Sequence, residues 1–322
     1  MKYLKYSDIS LVPNYSECHS RSDCSTSTVI GDKKYKLPII PANMKSVIDM
    51  RLAKWMSHCN YFYIMHRFDR DLAEDVANSQ DWDSISFSVG VRATDKMAIQ
   101  KISKRGHRVD YLTIDIAHGH CKRMEIMIKW IKKHLPDVKI IAGNVATPEA
   151  VRALSEWGAD IVKVGIGQGS PCTTKDKTGF TLPMFSCIKE CSGLYSGAFE
   201  EYKEKHIPII ADGGIKCNGD IAKAIVAGAD LVMAGGIFAS CTDSPAIPTT
   251  INGVQHKAYF GSASVENKGH SNHIEGKLNH ITANTMTYEE KLSEIKQDLQ
   301  SSISYSGGED LNVLKDVRYV EV

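Results

Sequence analysis

The sequence lacks a strong charge of either sign and any apolar run long enough to span a bilayer. Its 322 residues carry a formal net charge of +1 at pH 7, and a nearly neutral chain has no electrostatic footprint for nucleic acid or for an anionic membrane surface. The N-terminal segment also has no apolar core of the length of a signal peptide. We therefore expect a cytoplasmic protein whose partners include neither nucleic acid nor a membrane.

The nine cysteines include no Cys-x-x-Cys pair, so the sequence does not favour a zinc site. Their irregular spacing in a long chain is typical of reduced thiols in a reducing compartment. No Gly-x-Gly-x-x-Gly follows an early strand, and a Rossmann-type dinucleotide site is therefore not supported. A composition of 43% hydrophobic and 24% charged residues is that of an ordinary globular protein.

Eight short apolar segments alternate with segments of helical length. The predicted strands are residues 37–43, 61–65, 85–89, 111–116, 138–142, 161–164, 207–211 and 231–234. Eight β/α repeats favour an α/β fold in the form of a closed (β/α)8 TIM barrel, with a doubly wound open sheet as the alternative. Polar residues and glycines follow the strands, at the rim where barrel enzymes keep their chemistry.

We expect residues 1–322 to form a single barrel domain. Residues 242–287 show no periodicity and are predicted to cross the mouth of the barrel. Helical spacing returns over residues 289–303, and residues 304–322 form a C-terminal tail.

A glycine-rich segment that ends in a cysteine follows the sixth predicted strand. Gly165, Gly167 and Gly169 are spaced two apart, and Cys172 comes three residues later. Such glycines allow a tight backbone coil whose peptide dipoles stabilise a thiolate, which is the nucleophilic form of cysteine. The alternative is a plain turn with an inert cysteine. The hydroxyl groups that flank Cys172 favour the catalytic interpretation.

Two glycine pairs follow the seventh and eighth predicted strands. Loops at these places in a barrel commonly hold a phosphate, because glycines let backbone N–H groups approach it; two tight turns are the alternative. Asp212 precedes the first pair and accepts hydrogen bonds only, which suits ribose hydroxyls. With Ser170, these residues predict a nucleoside monophosphate site, and the paired glycines are Gly213, Gly214, Gly235 and Gly236.

The segment Gly165-Ile-Gly-Gln-Gly-Ser-Pro-Cys-Thr-Thr174 closely resembles the cysteine loop of the IMP dehydrogenase and GMP reductase family. The resemblance extends over essentially the whole chain. It implies a barrel that binds GMP or IMP, a nicotinamide cofactor held across the barrel mouth, and a homotetramer.

The resemblance also implies roles for individual residues. Further substrate contacts are expected from Met44, Arg67, Tyr259, Gly261 and Ser262, and cofactor contacts from Asp115, Ile116, Ala117 and Thr173. From the residues alone, Asp115 could instead cap the next helix, and His66 and Arg67 could face solvent. The backbone carbonyls of Gly167, Gly169 and Cys172 are expected to hold a monovalent cation such as K+, completed by Ser306, Gly307 and Gly308 of a neighbouring subunit.

Three features favour the reductase reaction of the family over the dehydrogenase reaction. Residues 66–84 are too short to contain the paired CBS regulatory modules that dehydrogenases usually carry. No Arg-Tyr pair, which activates water in dehydrogenases, occurs between Tyr259 and Glu275. Glu275 itself stands where dehydrogenases typically have Gln, and a departing ammonia requires a general acid.

The expected reaction is therefore the NADPH-dependent reductive deamination of GMP to IMP and ammonia. The expected intermediate is a species in which Cys172 is covalently bound to the purine. Glu275 is expected to protonate the leaving group with the help of Thr174. The alternatives are an IMP dehydrogenase without CBS modules and an inactive nucleotide-binding barrel. The chain departs from the family's usual residues at Lys45, Arg67, Gln168, Pro171 and Ala263.

Overall fold

A curved sheet of seven parallel strands forms the wall of a barrel in the computed structural model, which describes residues 2–193 and 207–322. Residue 1 and residues 194–206 of the predicted domain lie outside the described residues. In pairing order the strands are Ile39–Pro41 (β4), Leu231–Ala234 (β10), Ile209–Asp212 (β9), Ile161–Val164 (β8), Lys139–Val145 (β7), Tyr111–Asp115 (β6) and Ser86–Val89 (β5). Each matches a predicted strand, and the closed barrel is confirmed.

The eighth position of the barrel wall is taken by residues 61–65, which form only an isolated bridge and not a strand. Met65 pairs in parallel with Phe87, donating to the Ser86 carbonyl and accepting from the Ser88 amide. At the other edge, Lys36 N donates to Asn60 O at 2.9 Å, which joins this segment to the start of β4. The prediction of a regular strand at residues 61–65 was wrong. The apolar run reflects the burial of these residues and does not determine how many backbone hydrogen bonds they make to the neighbouring strands.

Helices follow the barrel strands in the chain and also occur at the mouth of the barrel. They are Met50–His58 (α1), Leu72–Ala77 (α2), Ala93–Arg105 (α3), Lys122–His134 (α4), Pro148–Trp157 (α5), Thr174–Thr178 (α6), Met184–Cys191 (α7), Gly219–Val226 (α8), Gly236–Ala239 (α9), Val265–Lys268 (α10) and Tyr288–Tyr305 (α11). Within the described part of the chain, no helix is both long and apolar enough to cross a membrane.

Helix α5 shows how local sequence sets an element's ends. The Thr147 side chain caps it by accepting from Ala150 N, and Pro148 occupies the first turn, where its missing N–H costs no helical hydrogen bond. Gly158 ends the helix at φ 111°, a conformation that favours glycine. The buried face carries Val151 and Leu154.

Residues 242–287 contain an antiparallel sheet that the sequence interpretation missed. Its strands are Pro248–Ile251 (β11), Val254–Phe260 (β12) and Leu278–Thr282 (β13), in that pairing order. Residues of β13 alternate between exposed and half-buried, and its two apolar residues, Leu278 and Ile281, lie three positions apart. The sequence therefore lacks the alternation that indicates a strand. The end of β12 brings Tyr259 against Gly235, at the carboxyl end of β10.

The C-terminal tail is more regular than predicted and packs on the N-terminal segment. A 3-10 helix, Leu311–Asp316, is followed by strand β14, Tyr319–Glu321, which pairs antiparallel with β1, Ile9–Leu11. Nearby, Ser25 N donates to Glu309 O at 2.7 Å. A hairpin, Thr28–Ile30 (β2) and Lys33–Tyr35 (β3), precedes the first barrel strand.

Candidate active site

A cavity of about 480 Å³ opens at the carboxyl ends of the barrel strands. It is lined by the predicted catalytic, substrate, cofactor and cation residues with the exception of Thr173: Met44, Arg67, Asp115, Ile116, Ala117, Gly167, Gly169, Ser170, Cys172, Thr174, Asp212, Gly213, Gly214, Gly235, Gly236, Tyr259, Gly261, Ser262 and Glu275. Residues separated by more than two hundred positions in the sequence therefore meet in one space.

The glycine-rich loop after β8 folds tightly over the cavity because its backbone approaches other chain segments without side chains. Gly165 has φ 140°, and a Cβ at this position would overlap the Asp212 carbonyl. Gly167 has φ 75°, and a Cβ there would lie 2.9 Å from the Thr181 hydroxyl. That hydroxyl donates to Ile166 O at 2.9 Å and anchors the loop.

Three side chains form a continuous hydrogen-bonded row in the cavity. Cys172 Sγ lies 3.2 Å from Thr174 Oγ1, and Thr174 Oγ1 donates to Glu275 Oε2 at 2.6 Å. A threonine hydroxyl both donates and accepts, so it connects a thiol with a carboxyl group for proton movement. The Thr174 hydroxyl thus connects the Glu275 carboxyl group, which can act as an acid or a base, to the Cys172 thiol, which can act as a nucleophile.

Backbone pairing fixes Glu275 beside the cysteine loop although it lies far away in the sequence. Thr173 N donates to Glu275 O at 2.8 Å, and Lys277 N donates to Pro171 O at 2.8 Å. Gly276 is needed between them, because a Cβ there would lie 2.8 Å from Ser264 N. The row is therefore held by the backbone on both sides.

Lys163 lies beneath the cavity between two carboxylates. Its side chain is 3% exposed, and its Nζ lies 2.9 Å from Asp115 Oδ1 and 2.7 Å from Asp212 Oδ2. Burial acts to raise the pKa of Asp115, but the Lys163 and Arg67 charges outweigh it and lower that pKa. Both carboxylates raise the pKa of Lys163 against the opposite effect of its burial. Asp115 is thus part of an ion cluster, and Cys121 occupies the N-cap of α4.

The paired glycines surround the side of the cavity where the predicted phosphate would lie. Gly213 and Gly214 have φ angles of 113° and 81°, which are backbone conformations that residues other than glycine rarely adopt. Tyr259 is 4% exposed, and its hydroxyl occupies the space in which a Cβ of Gly235 would stand. Asn279 Nδ2 donates to Ser170 Oγ at 3.1 Å.

His66 and Arg67 do not face solvent as a pair. His66 is 7% exposed and its Nδ1 accepts from Phe68 N. Burial, supported by the nearby Arg70 and Lys45 charges, lowers its pKa to about 4, so the ring is neutral at pH 7. Arg67 lines the cavity, and its guanidinium carbon lies 4.6 Å from the centre of the Phe68 ring.

Comparison with known proteins accounts for this arrangement. A family model described as the IMP dehydrogenase / GMP reductase domain matches residues 3–322. The chain belongs to this family. Among its relatives, the proteins named GMP reductase from Staphylococcus aureus strains JH9 and Mu50 are 46% identical over 328 residues, and that of strain MRSA252 is 46% identical over 331. The alignments cover 100% of this chain and 97% of each relative.

Membership of the IMP dehydrogenase / GMP reductase family makes the protein an oxidoreductase that uses a nicotinamide cofactor. The residues present fit such a group. Asp115 offers an ionised acceptor at the cavity, and the buried Arg67 Nε has no hydrogen-bond partner among the described residues. The buried Thr173 hydroxyl also has none within the ranges 2–193 and 207–322. Arg67 therefore provides an unused donor at the cavity that Asp115 also lines.

The departures from the family's usual residues each have a structural contact. Lys45 forms an ion pair with Asp69. The others support the cysteine loop and the segment facing it: Gln168 Nε2 donates to Thr181 Oγ1 at 2.6 Å, Pro171 O accepts from Lys277 N at 2.8 Å, and Ala263 O accepts from Glu275 N at 3.1 Å. Pro171 and Ala263 make these contacts through backbone oxygens, not through their side chains.

The predicted cation ligands form one bend of the cysteine loop. Gly169 O accepts from Cys172 N at 3.0 Å, which brings two of the three residues together. Ser306 and Gly307 follow α11 in the same chain, and a Cβ at Gly307 would overlap the Tyr15 carbonyl. The contribution of these residues to a neighbouring subunit remains a prediction.

Lys163 is the main residue that the sequence analysis missed, together with Asn144, Lys268 and His273. Asn144 Nδ2 donates to Asp212 Oδ2 at 2.8 Å and to Gly165 O at 2.7 Å, so it joins Asp212 to the cysteine loop. A signal for Lys163 was present. A lysine inside an otherwise apolar buried strand requires paired carboxylates, and Asp115 and Asp212 end two other strands of the same sheet.

Proposed function

We propose that this protein is a GMP reductase, which converts GMP to IMP and ammonia with NADPH as the reductant. The observation that carries the proposal is the row of Cys172, Thr174 and Glu275, with contacts of 3.2 and 2.6 Å. Ammonia can leave carbon 2 of the purine only if it receives a proton, and this row supplies an acid beside the nucleophile.

The nucleotide would lie across the cavity from the cysteine loop to the paired glycines. Asp212 accepts hydrogen bonds from the ribose, and the backbone of the paired glycines together with Ser170 holds the phosphate. Met44, Tyr259, Gly261 and Ser262 border the base, and Arg67 also lines the cavity. This orientation places carbon 2 of the purine at Cys172.

The side chains of the protein then form one bond to the purine and supply the proton with which ammonia leaves. Cys172 Sγ forms a bond with carbon 2, the carbon that carries the amino group. The carbon–nitrogen bond breaks, and the nitrogen departs as ammonia with a proton that Glu275 supplies through the Thr174 hydroxyl. Asp115, Ile116, Ala117 and Thr173 would hold the nicotinamide cofactor, which would supply a hydride to carbon 2. The bond between carbon 2 and Cys172 Sγ would break as the hydride is added, which leaves Cys172 as the thiolate.

Three finer assignments accompany the proposal. NADPH is the reductant, a monovalent cation such as K+ binds the carbonyls of Gly167, Gly169 and Cys172, and the active form is a homotetramer. A cytoplasmic location is supported by the nine cysteines, which are all free thiols.

Replacing the nucleophile tests the proposal directly. Cys172→Ala should abolish NADPH oxidation with GMP but leave the dissociation constant of GMP nearly unchanged, because ribose and phosphate are held elsewhere. Cys217→Ala is the matched control, since Cys217 is exposed and does not line the cavity. Turnover that survives in Cys172→Ala, or that is lost equally in Cys217→Ala, would show that the covalent step is wrongly assigned.

A further inference from the structure

Lys163 occupies an unusual place for a lysine, in the middle of β8 and inside the barrel. A buried ammonium is costly unless it is paired and hydrogen-bonded. Its neighbour across the ladder is Gly143, where a Cβ would lie only 2.7 Å from Lys163 Cβ. The glycine thus leaves room for the lysine to extend towards the cavity.

The two partners of Lys163 come from different strands and serve different sides of the site. Asp212 ends β9, which is next to β8, whereas Asp115 ends β6, two strands away on the other side. One ammonium contacts both carboxylates, at 2.7 and 2.9 Å. Both carboxylates line the cavity.

We propose that Lys163 is a positioning residue that holds Asp115 and Asp212 at once, so that the ribose side and the cofactor side of the site share a single ammonium. This inference rests on the proposed function, because that function assigns the two aspartates their ligands. Lys163 itself does not touch the reacting atoms. It keeps the two carboxyl groups close together in a largely buried place.

Other groups around the cluster cannot replace this ammonium. Asn144 donates to Asp212 but is neutral, and Arg67 acts on Asp115 from the cavity edge. The Tyr6 and Tyr259 hydroxyls near Asp212 are buried, and burial raises the pKa of each well above neutrality. Without Lys163, the charged groups that the described residues place at the cluster would be the two carboxylates and the Arg67 guanidinium.

We expect removal of the lysine to raise the pKa of a carboxyl group in the cluster instead of lowering it. Lys163 and Arg67 now lower the pKa of Asp115. In Lys163→Met, burial and like-charge repulsion would raise the pKa of one carboxylate towards neutrality. A protonated carboxyl loses acceptor capacity for the ribose, so the variant's affinity for GMP should fall as the pH falls.

Binding of GMP to the full chain without cofactor tests this inference. Dissociation constants are measured by calorimetry from about pH 6 to about pH 8.5, and the ratio of variant to wild type removes the titration of the GMP phosphate itself. For Lys163→Met the ratio should rise on the order of tenfold towards low pH, which corresponds to about one pKa unit. Lys163→Arg should keep a flat ratio. Asn144→Ala, which removes a neutral donor from the same Asp212 oxygen, should also be flat.

The outcomes separate this inference from the proposed function. A wild-type protein that does not bind GMP contradicts the function, whereas a flat ratio for Lys163→Met overturns the role of Lys163. If Lys163→Met does not fold, the double variant Lys163→Met/Asp115→Asn leaves a single carboxylate and should bind GMP with a flat ratio. A double variant that binds with the steep pH dependence, or that does not bind, overturns the inference.

Discussion

Replacement of Glu275 by glutamine removes an ionisable proton and keeps both the size of the side chain and its reach to Thr174. The Thr174 hydroxyl donates to Glu275 Oε2 at 2.6 Å, and the amide oxygen of glutamine can accept the same hydrogen bond. The backbone contact of residue 275 with Thr173 N is independent of the side chain. The variant should therefore keep the geometry of the site and lose only the general acid.

Loss of a general acid slows a proton-dependent step by roughly 10²–10⁴-fold, which corresponds to about 3–5 kcal/mol of barrier. The release of ammonia from GMP should slow by this factor in Glu275→Gln. Exchange of hydride between the nicotinamide cofactor and IMP passes through the same covalent bond to Cys172 but requires no ammonia to leave. That half reaction should lose much less.

Stopped-flow measurement of both half reactions gives the comparison, with Glu266→Gln as the matched control. Glu266 lies on the short helix α10 and is exposed, so its replacement should change neither rate. Equal slowing of both half reactions in Glu275→Gln would mean that Glu275 only supports packing. The assignment of the acid would then be refuted.

Three other predictions concern packing, pH and assembly. Gly235→Ala should displace Tyr259, whose hydroxyl occupies the space of the new methyl group, and calorimetry should show weaker GMP binding. Burial lowers the pKa of His66 to about 4. The contribution of the neutral ring to stability is therefore complete above the unfolded-state pKa of about 6.5 and is lost as the pH falls towards 4. Between these pH values the melting temperature of His66→Gln should fall less than that of the wild type, and an equal fall would refute the assignment. Sedimentation of the active protein should give a tetramer, and an active monomer would contradict the shared cation site.

The conformations of the glycines could be predicted from the sequence, because a positive φ angle is a local property of the backbone. Gly165, Gly213 and Gly214 all adopt positive φ angles at the barrel rim, as their spacing after predicted strands indicated. The cysteine loop, the paired glycines and the order of the barrel strands were therefore predictable. Glu275 was placed only through family resemblance, since backbone pairing between distant segments leaves no local signal.

The remaining features depend on tertiary contacts that short-range patterns do not encode. Strand β13 is exposed on one side and half-buried on the other, so its residues show no apolar alternation. The ion cluster of Lys163 depends on strands that are distant in sequence and adjacent in the barrel. The tail after Tyr305 looked irregular because β14 is short and pairs with β1, at the opposite end of the chain.

The stoichiometry of a single reaction tests the central claim most directly. Purified protein is incubated with GMP and NADPH, and the fall in NADPH absorbance is compared with the ammonia and IMP formed. A parallel reaction contains IMP and NAD. We expect one ammonia and one IMP for each NADPH consumed, and no NADH from the parallel reaction. Formation of NADH from IMP, with no oxidation of NADPH by GMP, would contradict the proposed function.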